Sequence, residues 1–338
     1  MSIYGDWIES WERKLTLRDR RRRVFPFEWG LDWLGLVERD GAGPLETLRQ
    51  WACDAVRDSE LFYHAPPMES PGLESSQLVF ATPTPSLLDR NNRARCRIWY
   101  STGSKGAVVV LPQWNAAADS HVILCRMLSR LGLTAVRMTL PYHEERAPEG
   151  MERADFLVGP NIGRTLHGTR QAVLETLQVV GWLREQGYEK IGVMGTSLGS
   201  CVAYLAFSHS NDIDTGVFNH VSAHFADVVW TGLSTRYVRW ALEGNISLEE
   251  LRDCWAPLSP WFFIERLRQY PRPHLMITAR YDLTFLPRLS DLVFSGYGEQ
   301  GLGCDRVELP CGHYTMAHFP FNVLDGWHIC KFLHRRLV

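Results

Sequence analysis

Short apolar runs separated by amphipathic stretches organise the chain beyond residue 77. Gln77–Ala81 and residues 96–100 are short β-rich runs and predict antiparallel neighbours across the polar stretch 89–95. Residues 107–111 form an unbroken Ala-Val-Val-Val-Leu run, as a strand buried on both faces requires. Residues 118–131 then carry Val122, Leu124, Cys125, Leu128 and Leu131 at helical spacing. The succession continues with strands at 134–140, 191–194, 214–221, 275–279 and 306–309, and helices at 165–185, 198–207, 285–294 and 323–333. Repeated strand-then-helix units predict an α/β fold, a mostly parallel sheet flanked by helices.

Two stretches break this rhythm. Residues 1–76 place Trp7, Trp11, Trp29, Trp33 and Trp51 in short helix-like pieces interrupted by Pro26, Gly30, Gly35 and the Gly41 to Pro44 stretch. They predict a Trp-rich extension packed on a core that begins at residue 77. The arginine run 18–23 within it reads as a solvated helix face, because no further basic cluster or stacking aromatic accompanies it. Residues 221–273 form the second break, far longer than the roughly 2–6 residues of an ordinary connection in an α/β sheet. Their helical spacing and their aromatics, Trp230, Tyr237, Trp240, Trp255, Trp261, Phe262 and Phe263, predict a helical lid at about 226–270 above the strand ends.

Composition narrows the function classes. With 338 residues, 45% hydrophobic and 22% charged, the chain can bury a large core and is neither disordered nor collagen-like. A net charge of -2, from 36 basic against 38 acidic residues, gives no bulk field for nucleic acid or an anionic membrane. No apolar stretch reaches the roughly 20 residues of a spanning helix. Residues 1–14 lack the apolar centre of a secretory signal. The eight Cys are scattered without a Cys-x-x-Cys pair, which fits a reducing compartment, and the cytoplasm is the expected location.

The sharpest chemical feature is Gly195-Thr196-Ser197-Leu198-Gly199, set between the apolar strand 191–194 and the helix 198–207. A Ser on so tight a strand-to-helix turn needs flanking glycines, whose missing Cβ atoms would otherwise clash. The turn lifts the hydroxyl above the sheet, beside free helix N–H groups suited to a developing oxyanion. Cys201 lies one turn further on, but Val202, Ala203 and Tyr204 place it in the core.

A nucleophilic Ser requires a base, and the base an orienting carboxylate. Asp282 follows the buried strand 275–279 at once, and His313 sits in the small-residue loop after the last strand, in Pro310-Cys311-Gly312-His313. Asp227 is the second candidate acid. His318 lies past the base loop, and His220 and His224 sit where the sheet meets the insertion and could line the pocket. With these pieces in the order Ser, Asp, His, the chain from about residue 77 onward resembles the α/β-hydrolase superfamily. That resemblance implies Ser197 as nucleophile, Asp282 as acid and His313 as base.

The second oxyanion N–H is expected from the loop after strand 107–111, here Pro112-Gln113-Trp114-Asn115 where the superfamily commonly carries His-Gly. Trp114 aligns with the usual donor, so Trp114 and Leu198 are the expected oxyanion pair, with Gln113, Trp230 and Tyr237 as substrate-binding candidates. Pro141-Tyr142-His143-Glu144-Glu145-Arg146-Ala147-Pro148 follows the next strand. Its His143-Glu144 lacks the second His of a zinc-protease motif, since position 147 is Ala, and its adjacent carboxylates read as a solvated loop. Together with Asp155-Phe156-Leu157-Val158-Gly159, it resembles the branch called alpha/beta hydrolase domain-containing protein 18 over residues 140–200. That likeness implies a serine hydrolase and names no substrate.

Neither a phosphate-binding loop, a nucleotide fingerprint nor a metal-ligand set accompanies these residues, and the triad chemistry needs no cofactor. The sequence therefore predicts a serine hydrolase acting on a small-molecule carboxylic ester or related acyl bond, with a lipid-like acyl group among the candidates. Acyl transfer and peptide hydrolysis share the same triad. A non-catalytic binding protein on the same fold is the competing class, favoured by the unusual Pro-Gln-Trp loop. A haloalkane dehalogenase is disfavoured, since its nucleophile would be a carboxylate at position 197.

Overall fold

Burial on both faces explains why the unbroken apolar runs become the centre of one sheet. A computed structural model describes residues 3–19, 21–38, 41–103 and 105–338. Among these residues the strands are β1 (Gly72–Glu74), β2 (Gln77–Ala81), β3 (Arg93–Trp99), β4 (Gly106–Leu111), β5 (Leu133–Thr139), β6 (Lys190–Thr196), β7 (Thr215–Asn219), β8 (His274–Ala279) and β9 (Asp305–Leu309). They form a single sheet in the order β1-β2-β3-β5-β4-β6-β7-β8-β9. Pairing is antiparallel from β1 to β5 and parallel from β5 through β9. Every residue of β4, β5, β7 and β8 is buried. The edge strand β1, fully exposed, extends the sheet into the segment before residue 77 that the sequence predicts as part of the extension.

The helices are α1 (Ile3–Leu17), α2 (Pro44–Arg57), α3 (Ser59–Phe62), α4 (Val122–Arg130), α5 (Ile162–Glu185), α6 (Leu198–Ser208), α7 (Phe225–Thr231), α8 (Arg236–Leu242), α9 (Leu248–Cys254), α10 (Ile264–Gln269), α11 (Pro287–Glu299) and α12 (Phe321–Leu337). The helix expected from residue 118 starts four residues later, because His121 has the left-handed φ of 64° and ends the preceding turns. Most of α5 and all of α6 are buried. Both belong to the core on one face of the sheet, whereas α4 and α12 pack in a second core on the other.

The first 76 residues contribute to both cores. Leu48, Ala55, Phe62 and Tyr63 join the α5 and α6 side, and Ile8 of α1 joins the α12 side. The segment before α2 closes the start of α5, where the N–H groups of Ile162 and Gly163 donate to the Glu28 and Trp29 carbonyls at 3.0 and 2.9 Å. Asn161 accepts from the Arg164 N–H, so the free donors of that helix end are satisfied from two sides. The insertion between β7 and β8 carries α7 to α10. It is tied down by the Trp255 indole N–H on the Ile162 carbonyl at 3.2 Å and by the Tyr63 hydroxyl on the Pro257 carbonyl at 2.7 Å. All eight Cys are free thiols, and burial pushes that of Cys201 up to about 12. No helix among the described residues is long and apolar enough to cross a membrane.

Candidate active site

Ser197 stands between the end of β6 and the first turn of α6 with φ 56° and ψ -120°, a conformation that costs a non-glycine residue strain. The glycines around it permit the close packing this needs. A Cβ on Gly195 would lie 2.0 Å from the Gly199 carbonyl oxygen, and one on Gly199 would lie 2.2 Å from that of Leu111. The Ser197 N–H donates to the Asn219 carbonyl at 2.8 Å, fixing the turn to β7.

The His313 Nε2 lies 3.0 Å from the Ser197 Oγ, and its Nδ1 lies 3.0 Å from the Asp282 Oδ2. Asp282 is held by the strand end that delivers it: its Oδ1 accepts the N–H groups of Thr284 and Phe285, each at 2.7 Å. Backbone bonds from Arg280 to Leu309 and from Tyr281 to Cys311 join the Asp282 and His313 loops. Phe285 stacks on the His313 ring at 5.3 Å with the planes 6° apart. Burial opposes ionisation of Asp282, yet His313 and His220 beside it hold the carboxyl well below the ordinary carboxylate range. Burial opposes charge on His313 as well, but the Asp282 carboxylate outweighs it and raises the imidazole above its ordinary value. Such an arrangement can draw a proton from Ser197 and hold it on an oriented ring.

Ser197 and His313 open on a cavity of about 910 Å³, within the size range of small-molecule sites. Of the expected oxyanion pair, both Leu198 and Trp114 line it, and neither backbone N–H has a backbone partner among the described residues. The Trp114 loop is braced by three hydrogen bonds, two to Ala154 and one to His143. Its indole N–H donates to the Ala154 carbonyl at 2.9 Å, the Asn115 side chain accepts from the Ala154 N–H, and the Asn115 N–H donates to His143 Nε2 at 2.9 Å. His143 must therefore carry its proton on Nδ1, which faces the Pro141 carbonyl at 2.9 Å. Burial drops its pKa to about 4, consistent with this neutral form.

A profile of the family described as Alpha/beta hydrolase domain containing 18 matches residues 115–252. The fold is similar to an acylaminoacyl peptidase of Pyrococcus horikoshii, with TM-score 0.57 and 13% identity, over 83% of this chain and 43% of that one. It is similar to the Pyrococcus furiosus esterase Pf2001, with TM-score 0.53 and 15% identity, over 81% and 98%. A lipase in its open form matches with TM-score 0.52 and 10% identity, over 78% and 96%. This is the α/β-hydrolase fold. An uncharacterised protein of Mycobacterium tuberculosis H37Rv is 34% identical over 84 residues, 25% of this chain and 20% of that one. The chain thus aligns with about a fifth of the curated relative's length.

On this hydrolase fold several expected residues take other places. Gln113 lines the cavity, but Trp230 and Tyr237 are not among its wall residues. Trp230 packs partly buried against the core under Arg239, and Tyr237 lies beneath Arg22 and Arg236. From the insertion, Phe225, Val228, Val229, Ser234, Thr235 and Pro260 form the wall instead. Asp227 is paired through both oxygens with Arg252 at 2.7 and 2.8 Å, away from any imidazole hydrogen bond. Glu144 is not solvated: it binds the buried Arg137 at 2.8 Å, which also holds the Ala117 and Ser120 carbonyls, while Glu145 is exposed. His318 is exposed at the cavity, 5.4 Å from the Trp11 ring.

The arginine run departs most from expectation. Helix α1 ends at Leu17, and the following chain crosses the cavity, with Arg18, Asp19, Arg21 and Arg22 in its wall. Arg22 donates to the Ser234 carbonyl at 2.9 Å and the Tyr314 hydroxyl at 3.2 Å. Arg20 lies outside the described residues.

His220 is more deeply engaged than the sequence indicates. Its ring lies 4.2 Å from that of His313, and its Nδ1 is 2.9 Å from the Asp282 Oδ2 without the alignment of a hydrogen bond. Its φ of 64° places it there, a backbone state invisible in the residue pattern. Among the described residues, His220, Asp282 and His313 alone bring three metal-binding side chains within 4.8 Å. Within this group His313 and Asp282 are joined by their hydrogen bond, with His220 beside them. Asp325 and His121, unmarked by any motif, also face the cavity.

Proposed function

We propose that the protein is a serine hydrolase that cleaves a carboxylic ester or related acyl bond through Ser197, His313 and Asp282. The observation that carries this reading is the continuous Ser197–His313–Asp282 contact, 3.0 Å at each step, on a strained Ser at the cavity floor. In the reaction, Ser197 Oγ bonds to the acyl carbon as its proton passes to His313 Nε2. The N–H groups of Leu198 and Trp114 receive the negative charge on the carbonyl oxygen. Collapse expels the alcohol, which takes the proton from His313, and leaves an acyl-Ser197 ester. Water then attacks, gives its proton to His313, and releases the acid while Ser197 Oγ recovers the proton. Asp282 keeps the ring in the productive tautomer and stabilises the imidazolium.

Residues 77–338 serve in this reading as the hydrolase domain, and residues 1–76 as an extension completing its cavity. The insertion at about 226–270 covers the substrate as a lid. Ile123, Leu124, Met127, Met194, Met316 and Ile329 supply an apolar wall that favours an apolar acyl group. A fluorophosphonate labelling test decides the reading. The wild type is expected to be modified at Ser197, located by peptide mass, and Ser197→Ala to remain unlabelled. An unlabelled Ser197 in folded wild-type protein refutes the enzyme and leaves a binding protein.

A further inference from the structure

Helix α1 buries a carboxylate against the loop that carries His313. Glu12 is completely buried, an unusual place for an acid unless its partners satisfy it. Its Oε1 accepts the Tyr314 N–H at 2.9 Å, and its Oε2 accepts the N–H groups of Tyr314 and Thr315 at 3.0 and 2.9 Å. Each of these contacts is a donor and favours the ionised carboxylate, while burial works against them and leaves its pKa above the ordinary value. The fit depends on Gly312, where a Cβ would lie 2.5 Å from the Glu12 Oε2. Gly312, Tyr314 and Thr315 bracket His313, and its loop is closed further by the Gly312 N–H on the Thr315 hydroxyl at 2.6 Å. The Tyr4 hydroxyl, also on α1, reaches the Pro310 carbonyl at 2.5 Å.

We infer that Glu12 is a positioning residue for the base: its buried carboxylate clamps the His313 loop and makes α1 a working part of the active site. This rests on the reading of His313 as general base. The backbone N–H groups of Tyr314 and Thr315, on the two residues after the ring, would otherwise lose these partners, and the loop would relax to satisfy them. Displacement of His313 by about 1 Å is enough to weaken catalysis by ~100-fold. The same carboxylate acts through its charge. Burial pulls His313 towards neutrality, Asp282 opposes that strongly, and Glu12 adds to the opposition. The other titratable groups facing this cluster are His220 against His313, Asp282 on both, Cys311 beside Glu12, and Arg22 on the Tyr314 hydroxyl.

Glu12→Gln and Glu12→Asp separate the two effects. The readouts are the inactivation rate by a fluorophosphonate across pH, hydrolysis of a p-nitrophenyl ester, and the melting temperature. The Gln variant removes the charge and sets an amide donor against the Tyr314 N–H. Its rate is expected to fall about 10-fold to 100-fold, with the acid limb of the pH profile moved to lower pH. The Asp variant keeps the charge but withdraws the carboxylate by one methylene, and is expected to lose rate with the acid limb nearly unmoved. Wild-type rate in either folded variant overturns the clamp, and an unmoved limb in Glu12→Gln overturns the charge effect. Should Glu12→Gln fail to fold, Glu12→Asp decides by itself: lower rate with a wild-type limb upholds the clamp, and full rate refutes it. Wild-type protein that is never labelled at Ser197 refutes the base reading instead, a result distinct from all of these.

Discussion

Asp325 offers a stability test whose sign depends on pH. It projects from α12 into the cavity wall, where both carboxyl oxygens contact one partner, the Asn219 side-chain amide, at 3.0 and 2.9 Å. Burial with so little compensation pushes its pKa up from 3.8 to about 7. The folded chain therefore holds this proton more tightly than the unfolded chain. Its contribution to stability is complete below about pH 4 and is lost as pH rises to about 7, with no further change above that. At about 1.4 kcal/mol for each tenfold change in affinity, the full loss is about 4 kcal/mol. Asp325 keeps one side open to the cavity, and solvent there reduces the expected loss to about 2 kcal/mol. Asp325→Asn keeps an acceptor for Asn219 and cannot ionise. Urea denaturation should find it equal to wild type at pH 4 and more stable by about 2 kcal/mol at pH 9, or by roughly 4 °C in melting temperature. Other groups titrate alike in both proteins and cancel in the difference. A difference that is the same at pH 4 and pH 9, or a variant less stable at pH 9, refutes the reasoning.

Two further substitutions address the acid and the core. Asp282→Asn should lower ester hydrolysis by about 10⁴-fold through loss of the oriented tautomer, whereas Asp227→Asn should keep near-normal turnover and lose only the Arg252 pair; the opposite ranking would make Asp227 the acid. Arg146 and Glu175 have no exposed side-chain surface and meet at 2.6 and 2.7 Å, with Arg146 also holding the Asn91 and Thr139 carbonyls. Glu175→Gln should therefore cost about 3–5 kcal/mol in denaturation by leaving a buried cation unpaired, and a loss under about 1 kcal/mol would show that the Arg146 carbonyl contacts suffice without the carboxylate.

The parts of this molecule that were legible in the sequence are those whose cause is local. A short β-branched run bounded by turn residues reads as a strand covered on both faces, and β4 is wholly buried. Gly195 and Gly199 are needed because backbone passes within contact of them, so the G-x-S-x-G spacing announces the turn. The positions of Asp282 and His313 after successive strands follow from the parallel order, which brings both strand ends to the same side of the sheet. What stayed hidden depends on pairings between distant segments. Trp-Glu-Arg-Lys at residues 11–14 looks like an ordinary amphipathic surface, and nothing in it tells that Glu12 meets backbone 302 positions away while Arg13 faces solvent. Likewise Trp230 and Tyr237 differ little in pattern from Phe225, and periodicity reports that a ring is covered without telling which cavity it borders. The arginine run illustrates the same limit from the charged side. Six consecutive polar residues fit a solvated helix face, but once Leu17 ends the helix, the chain is drawn across the cavity by Arg22 on Ser234 and Tyr314 and by the Asp19 pair with Arg153. Residues of the extension and of the insertion therefore meet in one cavity wall, and the His313 loop is held from the extension's side.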